Sequence, residues 1–309
     1  MYAIIDLGTN TFQLLIADFK NGHLYENYQM QIPVKIGKDG INNGYLTKEA
    51  FKRGMLALEQ FSKTIETFHI EKVTAIATSA IRNAKNGPEF MSAAFEKFGI
   101  SISTISGKKE AELIFKGVSH SFHLPDENVL LMDIGGGSVE FILAKQNHII
   151  WSQSFEMGAA RLLEQFCISD PITAKEISEI ECYLMNELKP LSKIIYENPV
   201  RKIIGSAGSF ETLVDVILKD FQTIPVALSK NAHSIPTNLF DLFYALMKES
   251  TAAQRSKLRG LIDFRVDMIV VSAILMNYCV QTFNIEEIIT SNYSLKEGLL
   301  FELEMGNEK

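Results

Sequence analysis

The sequence has few of the residues that mark several special classes of protein. Of its 309 residues, only 3 are cysteine, 8 are proline and 1 is tryptophan. Cys167, Cys182 and Cys279 are widely spaced and form no Cys-x-x-Cys pair, so neither a disulfide framework nor a zinc cluster is indicated. The low proline content, with 19 glycines, excludes a collagenous or linker-dominated chain. We therefore expect a globular protein of the reducing cytoplasm.

Excess basic charge and long apolar runs are also lacking. The 30 basic and 37 acidic residues give a net charge of −7, which disfavours a nucleic-acid duplex or an anionic membrane as a partner. The first residues lack the basic start and apolar stretch of an export signal. The longest uncharged run spans residues 268–285. Asn277, Gln281 and Asn284 give this run one polar stripe, which favours a buried helix over a membrane span.

The sequence does contain one pattern that occurs twice. Residues 3–17 and residues 130–144 both read as an apolar strand, an aspartate, a glycine-led turn, a hydroxyl residue and a second apolar strand. A third strand and alternating helices and strands follow each copy, which predicts a duplicated α/β protein with mixed sheets. We expect the two glycine-led turns to face each other across a cleft between the halves, because ligands favour such interfaces.

Helix caps and apolar periodicity predict the individual elements after each copy. In the first half we expect strands at Tyr25–Ile36, Lys72–Ala77 and Ser101–Ile105, and helices after Thr47, at Glu89–Phe98 and from Ser106 to Gly117. In the second half we expect strands at His148–Phe155, Lys202–Gly205 and Glu287–Thr290. We expect helices after a capping box at Thr173–Glu176, with Pro190 ending the first of them, then helices throughout the stretch from Gly205 to Met268–Thr282, and a last helix from Ser294.

The glycine-led turns are the first candidate site. Gly135-Gly136-Gly137 does not fit a dinucleotide fingerprint, because the residues after it read as a strand where that motif needs a helix. A tight hairpin turn whose backbone amides point outward can instead hold phosphate oxygens. Thr11 and Ser138 add hydroxyl donors. An ordinary hairpin explains one such turn, whereas a matched pair favours a phosphate site.

Three carboxylates accompany the turns. Asp6 and Asp133 occupy the same place in the two copies, at the end of a strand that we expect to be buried. A buried carboxylate needs hydrogen bonds or a cation, and beside phosphate oxygens magnesium is the expected bridge. Glu140 is a third candidate for that ion. The alternative is a capped turn in which the aspartate binds its own loop amides.

Two further stretches follow predicted strands. Arg82 comes after the strand that ends at Ala77 and could bind two phosphate oxygens, although a surface arginine without a role is the alternative. Glu110 and Glu112 lie at the start of the helix that follows Ser106. The helix dipole alone explains an acidic residue there, so the residue types do not choose between these two glutamates.

Four of these stretches together resemble the exopolyphosphatase and guanosine pentaphosphate phosphohydrolase family (Ppx/GppA) of the actin, sugar kinase and Hsp70 superfamily. They are Asp6–Leu15, Ala77–Asn86, Ser106–Val118 and Asp133–Glu140. The resemblance, to the family's short form without an HD domain, implies a duplicated ribonuclease H-like (actin-like ATPase) α/β fold with two mixed five-stranded sheets and an interdomain cleft. The implied domains are residues 1–124, joined by the C-terminal helix 294–309, and residues 125–293.

The resemblance also implies a reaction, namely hydrolysis of the terminal phosphoanhydride of inorganic polyphosphate or guanosine pentaphosphate. Glu110 matches the position that activates water. Phosphate contacts are implied for Gly8, Thr9, Asn10, Thr11, Arg82, Gly135, Gly136, Gly137 and Ser138, and magnesium contacts for Asp6, Asp133 and Glu140.

The sequence departs from the family pattern at three positions and leaves two other functions open. Gln13 and Lys296 stand where arginine is common, and Ala207 interrupts a Gly-Gly pair. One alternative is an ATP-dependent small-molecule kinase of the same superfamily. The other is a non-catalytic sensor that binds guanosine tetraphosphate or pentaphosphate. A homodimer is expected from base rates.

Overall fold

A computed structural model gives the structure of residues 1–20 and 23–307. The first half contains a mixed five-stranded sheet in the order β3-β2-β1-β4-β5. Its central strand β1 is almost wholly apolar and buried, as expected for a strand covered on both faces. The strands are β1 (Tyr2–Leu7), β2 (Phe12–Lys20), β3 (His23–Ile32), β4 (Lys72–Ala77) and β5 (Ile102–Thr104).

The second half contains a mixed sheet in the order β10-β11-β12-β9-β6-β7-β8. Its strands are β6 (Asn128–Ile134), β7 (Val139–Lys145), β8 (His148–Phe155), β9 (Lys202–Ser206), β10 (Val226–Ser229), β11 (Ala232–Pro236) and β12 (Glu287–Ser291). Seven strands stand where five were expected. The two additional strands, β10 and β11, form a hairpin between Gly205 and Met268, where the sequence predicts only helices, and β11 pairs antiparallel with β12. The prediction of helices alone for this stretch is therefore wrong.

The helices cover both sheets, and several begin at the predicted caps. Thr47 accepts a hydrogen bond from the Ala50 amide, Ser106 accepts one from the Lys109 amide, and the Thr173–Glu176 capping box is formed. The helices are α1 (Lys48–Ile65), α2 (Ser79–Asn83), α3 (Gly87–Phe98), α4 (Gly107–Ser121), α5 (Ala159–Phe166), α6 (Ala174–Glu187), α7 (Lys189–Glu197), α8 (Ala207–Lys219), α9 (Thr237–Glu249), α10 (Ala252–Arg255), α11 (Met268–Thr282) and α12 (Leu295–Asn307).

Helices α4 and α12 lie between the two sheets and join them. One apolar cluster contains Ile4 of β1, Ile114 of α4, Leu131 of β6 and Leu300 of α12. Each sheet also has its own core on its other face. Because α4 and α12 contact both sheets, the side chains at their N-terminal ends are held beside the cleft.

The apolar helix α11 lies in the core of the second half, as its polar stripe suggested. Across residues 1–20 and 23–307, no helix combines the length and the apolar character that crossing a bilayer requires.

Candidate active site

A cavity of about 140 Å³ opens between the two halves. Both glycine-led turns form its wall, which confirms that they face each other. Of the predicted site residues, those in the cavity wall are Asp6, Gly8, Thr9, Asn10, Thr11, Glu110, Asp133, Gly135, Gly136, Gly137 and Ser138. Arg82 and Glu140 do not line this cavity, since Arg82 borders a separate groove and Glu140 is buried.

The two turns touch each other, and glycine permits the approach. A Cβ atom on Gly136 would lie 2.3 Å from Nδ2 of Asn10, and a Cβ atom on Gly137 would lie 2.5 Å from Oγ1 of Thr9. The Thr9 hydroxyl is buried and has no hydrogen-bond partner within the described residues. A buried hydroxyl without a partner is uncommon, so this group is available to a ligand in the cavity.

Asp6 and Asp133 meet the cost of burial in different ways. Oδ2 of Asp133 accepts hydrogen bonds from the hydroxyls of Ser206 and Ser294, each at 2.5 Å. Burial raises the pKa of Asp133, and these two hydrogen bonds act against that rise. Oδ1 of Asp6 is buried without a partner in the part of the chain that the structure describes. Burial raises the pKa of Asp6 to about 7, opposed by the Lys296 ammonium and assisted by the Asp133 carboxylate.

The donor set at Asp6 and Asp133 fits magnesium, which commonly takes one or two protein carboxylates together with water and phosphate oxygens. The unpartnered Asp6 oxygen is suited to this use. Glu140 lies opposite Asp133 in the β6–β7 register and accepts a hydrogen bond from the Ser154 hydroxyl at 2.6 Å. The described residues contain no group of three or more acidic, histidine or cysteine side chains that could hold one metal ion between them. The fit therefore rests on the two aspartates, and Glu140 is held next to one of them, Asp133, by the strand register.

Glu110 lies in the first turn of α4 and reaches the cavity although only 6% of it is exposed. Its Oε2 accepts a hydrogen bond from Nη1 of Arg82 at 3.0 Å. Burial and the nearby Glu140 carboxylate hold the pKa of Glu110 well above its usual range, and the Arg82 guanidinium opposes them. Glu112 is not part of the cavity wall. The geometry thus places Glu110, and not Glu112, against a ligand in the cavity.

Arg82 binds protein carboxylates in this structure. Besides Glu110, its Nη1 donates to the carbonyl of Ile105, and its Nη2 donates to Oε1 of Glu156 at 3.0 Å. Its guanidinium borders a second, open groove that is separate from the cavity. The sequence could not indicate these contacts, because Glu156 belongs to the other half of the molecule.

Lys296, which the sequence marked only as a departure from the family's common arginine, is also a site residue. Its side chain lies in the cavity wall and forms an ion pair with Glu297 at 2.8 Å. Burial works against its charge, yet the Glu297 carboxylate raises the pKa of Lys296 above its ordinary value. Glu297 also accepts a hydrogen bond from the Ser294 amide at the start of α12. The Ser-x-x-Glu spacing at 294–297 was the available signal for a helix start that presents Lys296 to the cleft.

Glu140 gives a testable pH dependence of stability. Burial and the Asp133 carboxylate raise the pKa of Glu140 to about 8 in the folded protein, whereas an unfolded glutamate titrates near pH 4.3. The folded state binds an extra proton between these values, so the free energy of unfolding should fall as pH rises from about 5 to 8. We expect Glu140→Gln to remove part of this decline, so that at pH 8.5 the free energy of unfolding has fallen by on the order of a few kcal/mol less than in the unmodified protein. Urea unfolding at several pH values, with EDTA to exclude metal ions, measures this difference.

The exposed Glu197 at the end of α7 provides the control for this measurement. Glu197→Gln should leave the slope of stability against pH unchanged. The interpretation would be wrong if Glu140→Gln retained the full decline of the unmodified protein.

Comparisons with known proteins agree with this geometry. The profile of the Ppx/GppA phosphatase family matches residues 15–306. The crystal structure of an exopolyphosphatase from Cytophaga hutchinsonii is 34% identical, with a TM-score of 0.94 over 99% of this chain and 98% of that one. The Aquifex aeolicus Ppx/GppA family member is 27% identical, with a TM-score of 0.80 over 100% of this chain and 98% of that one.

A bifunctional 3-dehydroquinate synthase/phosphatase of Fusobacterium nucleatum is 30% identical over 97% of this chain, which spans 46% of that protein. The structural neighbours have the actin-like fold, which confirms the expected fold class. Together with the family profile, they settle the assignment, and the chain belongs to the Ppx/GppA phosphatase family.

Proposed function

We propose that the protein is a hydrolase that releases the terminal phosphate of inorganic polyphosphate, of guanosine pentaphosphate, or of both, with magnesium. One observation carries this proposal. The two glycine-led turns converge on one cavity whose wall also contains Glu110, Asp6 and Asp133. The similarity to an exopolyphosphatase from Cytophaga hutchinsonii supports the same class of reaction.

The turns would bind the terminal phosphoryl group. Residues 8–11 close the β1–β2 hairpin and residues 135–138 close the β6–β7 hairpin, and both turns line the same cavity. Backbone amides in such turns bind anionic oxygens without a net charge of their own. The unpartnered Thr9 hydroxyl adds a donor between the two turns. This arrangement would hold the transferred group in a fixed orientation.

Asp6 and Asp133 are the residues that would hold magnesium, and the ion when bound would neutralise charge on the phosphate oxygens. The hydroxyls of Ser206 and Ser294 fix the orientation of the Asp133 carboxylate. Oδ1 of Asp6 would gain a partner that the described residues do not provide.

Glu110 would accept a proton from the attacking water. Phosphoryl transfer asks little covalent chemistry of a protein, so positioning and charge neutralisation should supply most of the acceleration. Glu110 must be ionised to act as a base, and burial opposes ionisation. The Arg82 guanidinium at 3.0 Å favours the carboxylate form and fixes its direction.

The cavity extends beyond the two turns towards the start of α8. This end of the cavity is relevant to the two alternative functions, a kinase and a nucleotide sensor, because both need a place for a nucleoside. Ala207, Gly208 and Ser209 at the start of α8 line it together with Phe264 and Arg265. A nucleoside could occupy that end, as in guanosine pentaphosphate, or as in the ATP of a kinase. The experiment below therefore includes both nucleotides.

Phosphate release from the purified chain tests the proposal and its metal requirement. Polyphosphates of several lengths, guanosine pentaphosphate and ATP are compared with magnesium and with EDTA, and ATP is also given with sugars or carboxylic acids as acceptors. We expect release from polyphosphate or guanosine pentaphosphate, reduced at least about 100-fold by EDTA and restored by magnesium, because a bound metal supplies several kcal/mol of charge stabilisation. Transfer from ATP to an acceptor would indicate a kinase instead, and tight binding without turnover would indicate a sensor.

A further inference from the structure

Glu156 lies at the bend that follows β8, and its carboxylate is bound by groups of both halves. Oε1 accepts a hydrogen bond from Nη2 of Arg82 at 3.0 Å. Oε2 accepts one from the Ser79 hydroxyl at 2.5 Å and one from Nη2 of Arg161 at 2.9 Å. Ser79 and Arg82 belong to α2 in the first half, whereas Arg161 belongs to α5 in the second.

This donor set would suit a phosphate as well as a carboxylate. Two guanidinium groups and a hydroxyl are the groups that proteins use to bind phosphate oxygens with charge-assisted hydrogen bonds. The bound carboxylate is ionised, since hydrogen bonds from Ser79, Asn83 and Arg82 outweigh the effect of burial and lower the pKa of Glu156. An anion of this chain therefore occupies a site that could bind a free anion. We call the three donors of this site, Ser79, Arg82 and Arg161, the receptor.

The receptor borders the cavity at the second glycine-led turn. Nε of Arg161 donates to the carbonyl of Gly137 at 3.1 Å, and a Cβ atom on Gly137 would lie 2.6 Å from the Ser79 hydroxyl. Arg82 connects the receptor to Glu110 on the other side. An anion bound at the receptor would thus be next to the group held between the two turns.

The two arginines of the receptor are held more firmly than Glu156, the carboxylate that occupies it. The Arg82 and Arg161 side chains are only 16% and 13% exposed, and each also donates to a backbone carbonyl, Ile105 for Arg82 and Ile41 for Arg161. The Glu156 side chain is 43% exposed. Glu156 can therefore turn towards solvent without crossing the core, while both guanidinium groups stay in place.

We propose that Glu156 is a built-in competitor of the substrate, because its carboxylate fills an anion site of Arg82, Arg161 and Ser79 that a phosphate of the bound substrate takes over. This inference rests on the proposed function. Substrate binds only molecules in which Glu156 has left the site. The apparent Kd therefore equals the intrinsic Kd divided by the fraction of such molecules. The residue thereby sets the substrate concentration at which the cleft fills, and it does not take part in the chemical step.

The amide in Glu156→Gln keeps the size of the side chain, removes its charge, and turns a donor towards one of the two arginines. Calorimetric titration with tripolyphosphate, in proteins that also carry Glu110→Gln to prevent turnover, should show a Kd lowered by about fivefold or more relative to the Glu110→Gln protein alone. With Glu110 present, the KM for polyphosphate should fall by a similar factor and kcat should change by no more than about twofold.

Glu302→Gln is the matched control. The Glu302 carboxylate also bridges two cations, Lys109 at 2.6 Å and Lys116 at 3.3 Å, but it lies on α12 outside the cavity wall. We expect its removal to leave Kd and KM unchanged. If Glu156→Gln does not fold, Glu156→Asp tests the same point, because the shorter side chain cannot reach all three donors as well and should bind tripolyphosphate more tightly than the parent.

An unchanged or raised Kd in the Glu156 variants would overturn the inference and assign Glu156 a structural role between the halves. A failure of the proposed function would look different. In that case the unmodified protein would release no phosphate from polyphosphate or guanosine pentaphosphate, whereas a failure of this inference alone leaves that activity intact.

Discussion

Replacing Glu110 with glutamine should lower the rate of phosphate release by roughly 10²–10⁴-fold, the usual contribution of a general base. The amide has almost the same volume, and its oxygen can still accept the hydrogen bond from Arg82, so the buried surroundings stay filled. What the amide cannot do is accept a proton from water. The phosphate contacts of the two turns are untouched, so substrate binding should remain nearly unchanged. Steady-state kinetics and calorimetric titration with tripolyphosphate measure the two effects separately.

Glu112→Gln is the control for this result, because Glu112 lies on the same helix outside the cavity wall. We expect its kcat and KM to match those of the unmodified protein. If Glu112→Gln lost turnover and Glu110→Gln did not, the roles of the two glutamates would have to be exchanged. If neither variant lost turnover, water activation by α4 would be excluded altogether.

The choice between these two glutamates shows where sequence reasoning stops. Residues two positions apart on a helix point in directions about 160° apart, so only one of them can face the cleft. The cap at Ser106 fixes where the helix begins, and this start was predicted. The rotation of α4 about its axis is set by its packing between the two sheets, which involves residues from distant parts of the chain. Only the family resemblance favoured Glu110 in advance.

Local patterns did predict much of the framework. The strands Lys72–Ala77 and His148–Phe155 and the helix Met268–Thr282 have the expected bounds, and the matched turns share one cavity. The β10–β11 hairpin was missed, because Val226 and Leu228 are exposed and β10 lacks a buried alternating face. Its place in the sheet depends on pairing of β11 with β12, which follows much later in the chain.

The structure shows that Ala207 adopts a backbone conformation that favours glycine. The sequence showed an alanine within a stretch where the family pattern has paired glycines. The backbone at Ala207 has a φ of 65°, in the left-handed region that glycine adopts readily. An alanine there costs about 1 kcal/mol relative to glycine, because its Cβ approaches the following carbonyl. The start of α8, which lines the cavity, is thus held in a conformation that its sequence does not favour.

The largest effect on stability should come from Gly298→Ala, where α12 crosses α4. A Cβ atom on Gly298 would lie 1.8 Å from the carbonyl oxygen of Leu113 and 3.0 Å from the amide nitrogen of Gly117. Both are backbone atoms inside a helix, so no side-chain rotation can make room and the two helices must separate. We expect the free energy of unfolding in urea to fall by about 3 kcal/mol, the upper end of the usual cost of overpacking.

Separation of these helices should also affect catalysis, because α4 carries Glu110 and the start of α12 carries Ser294, which binds Asp133 at 2.5 Å. The folded fraction of Gly298→Ala should therefore show a lowered kcat. Gly306→Ala is the matched control on the same helix, since a Cβ atom there has nothing within 4 Å. It should be neutral or add up to about 1 kcal/mol, because alanine favours the helix. Equal stability of the two variants would mean that the crossing can widen freely, and α12 would then not fix the position of Asp133 relative to Glu110.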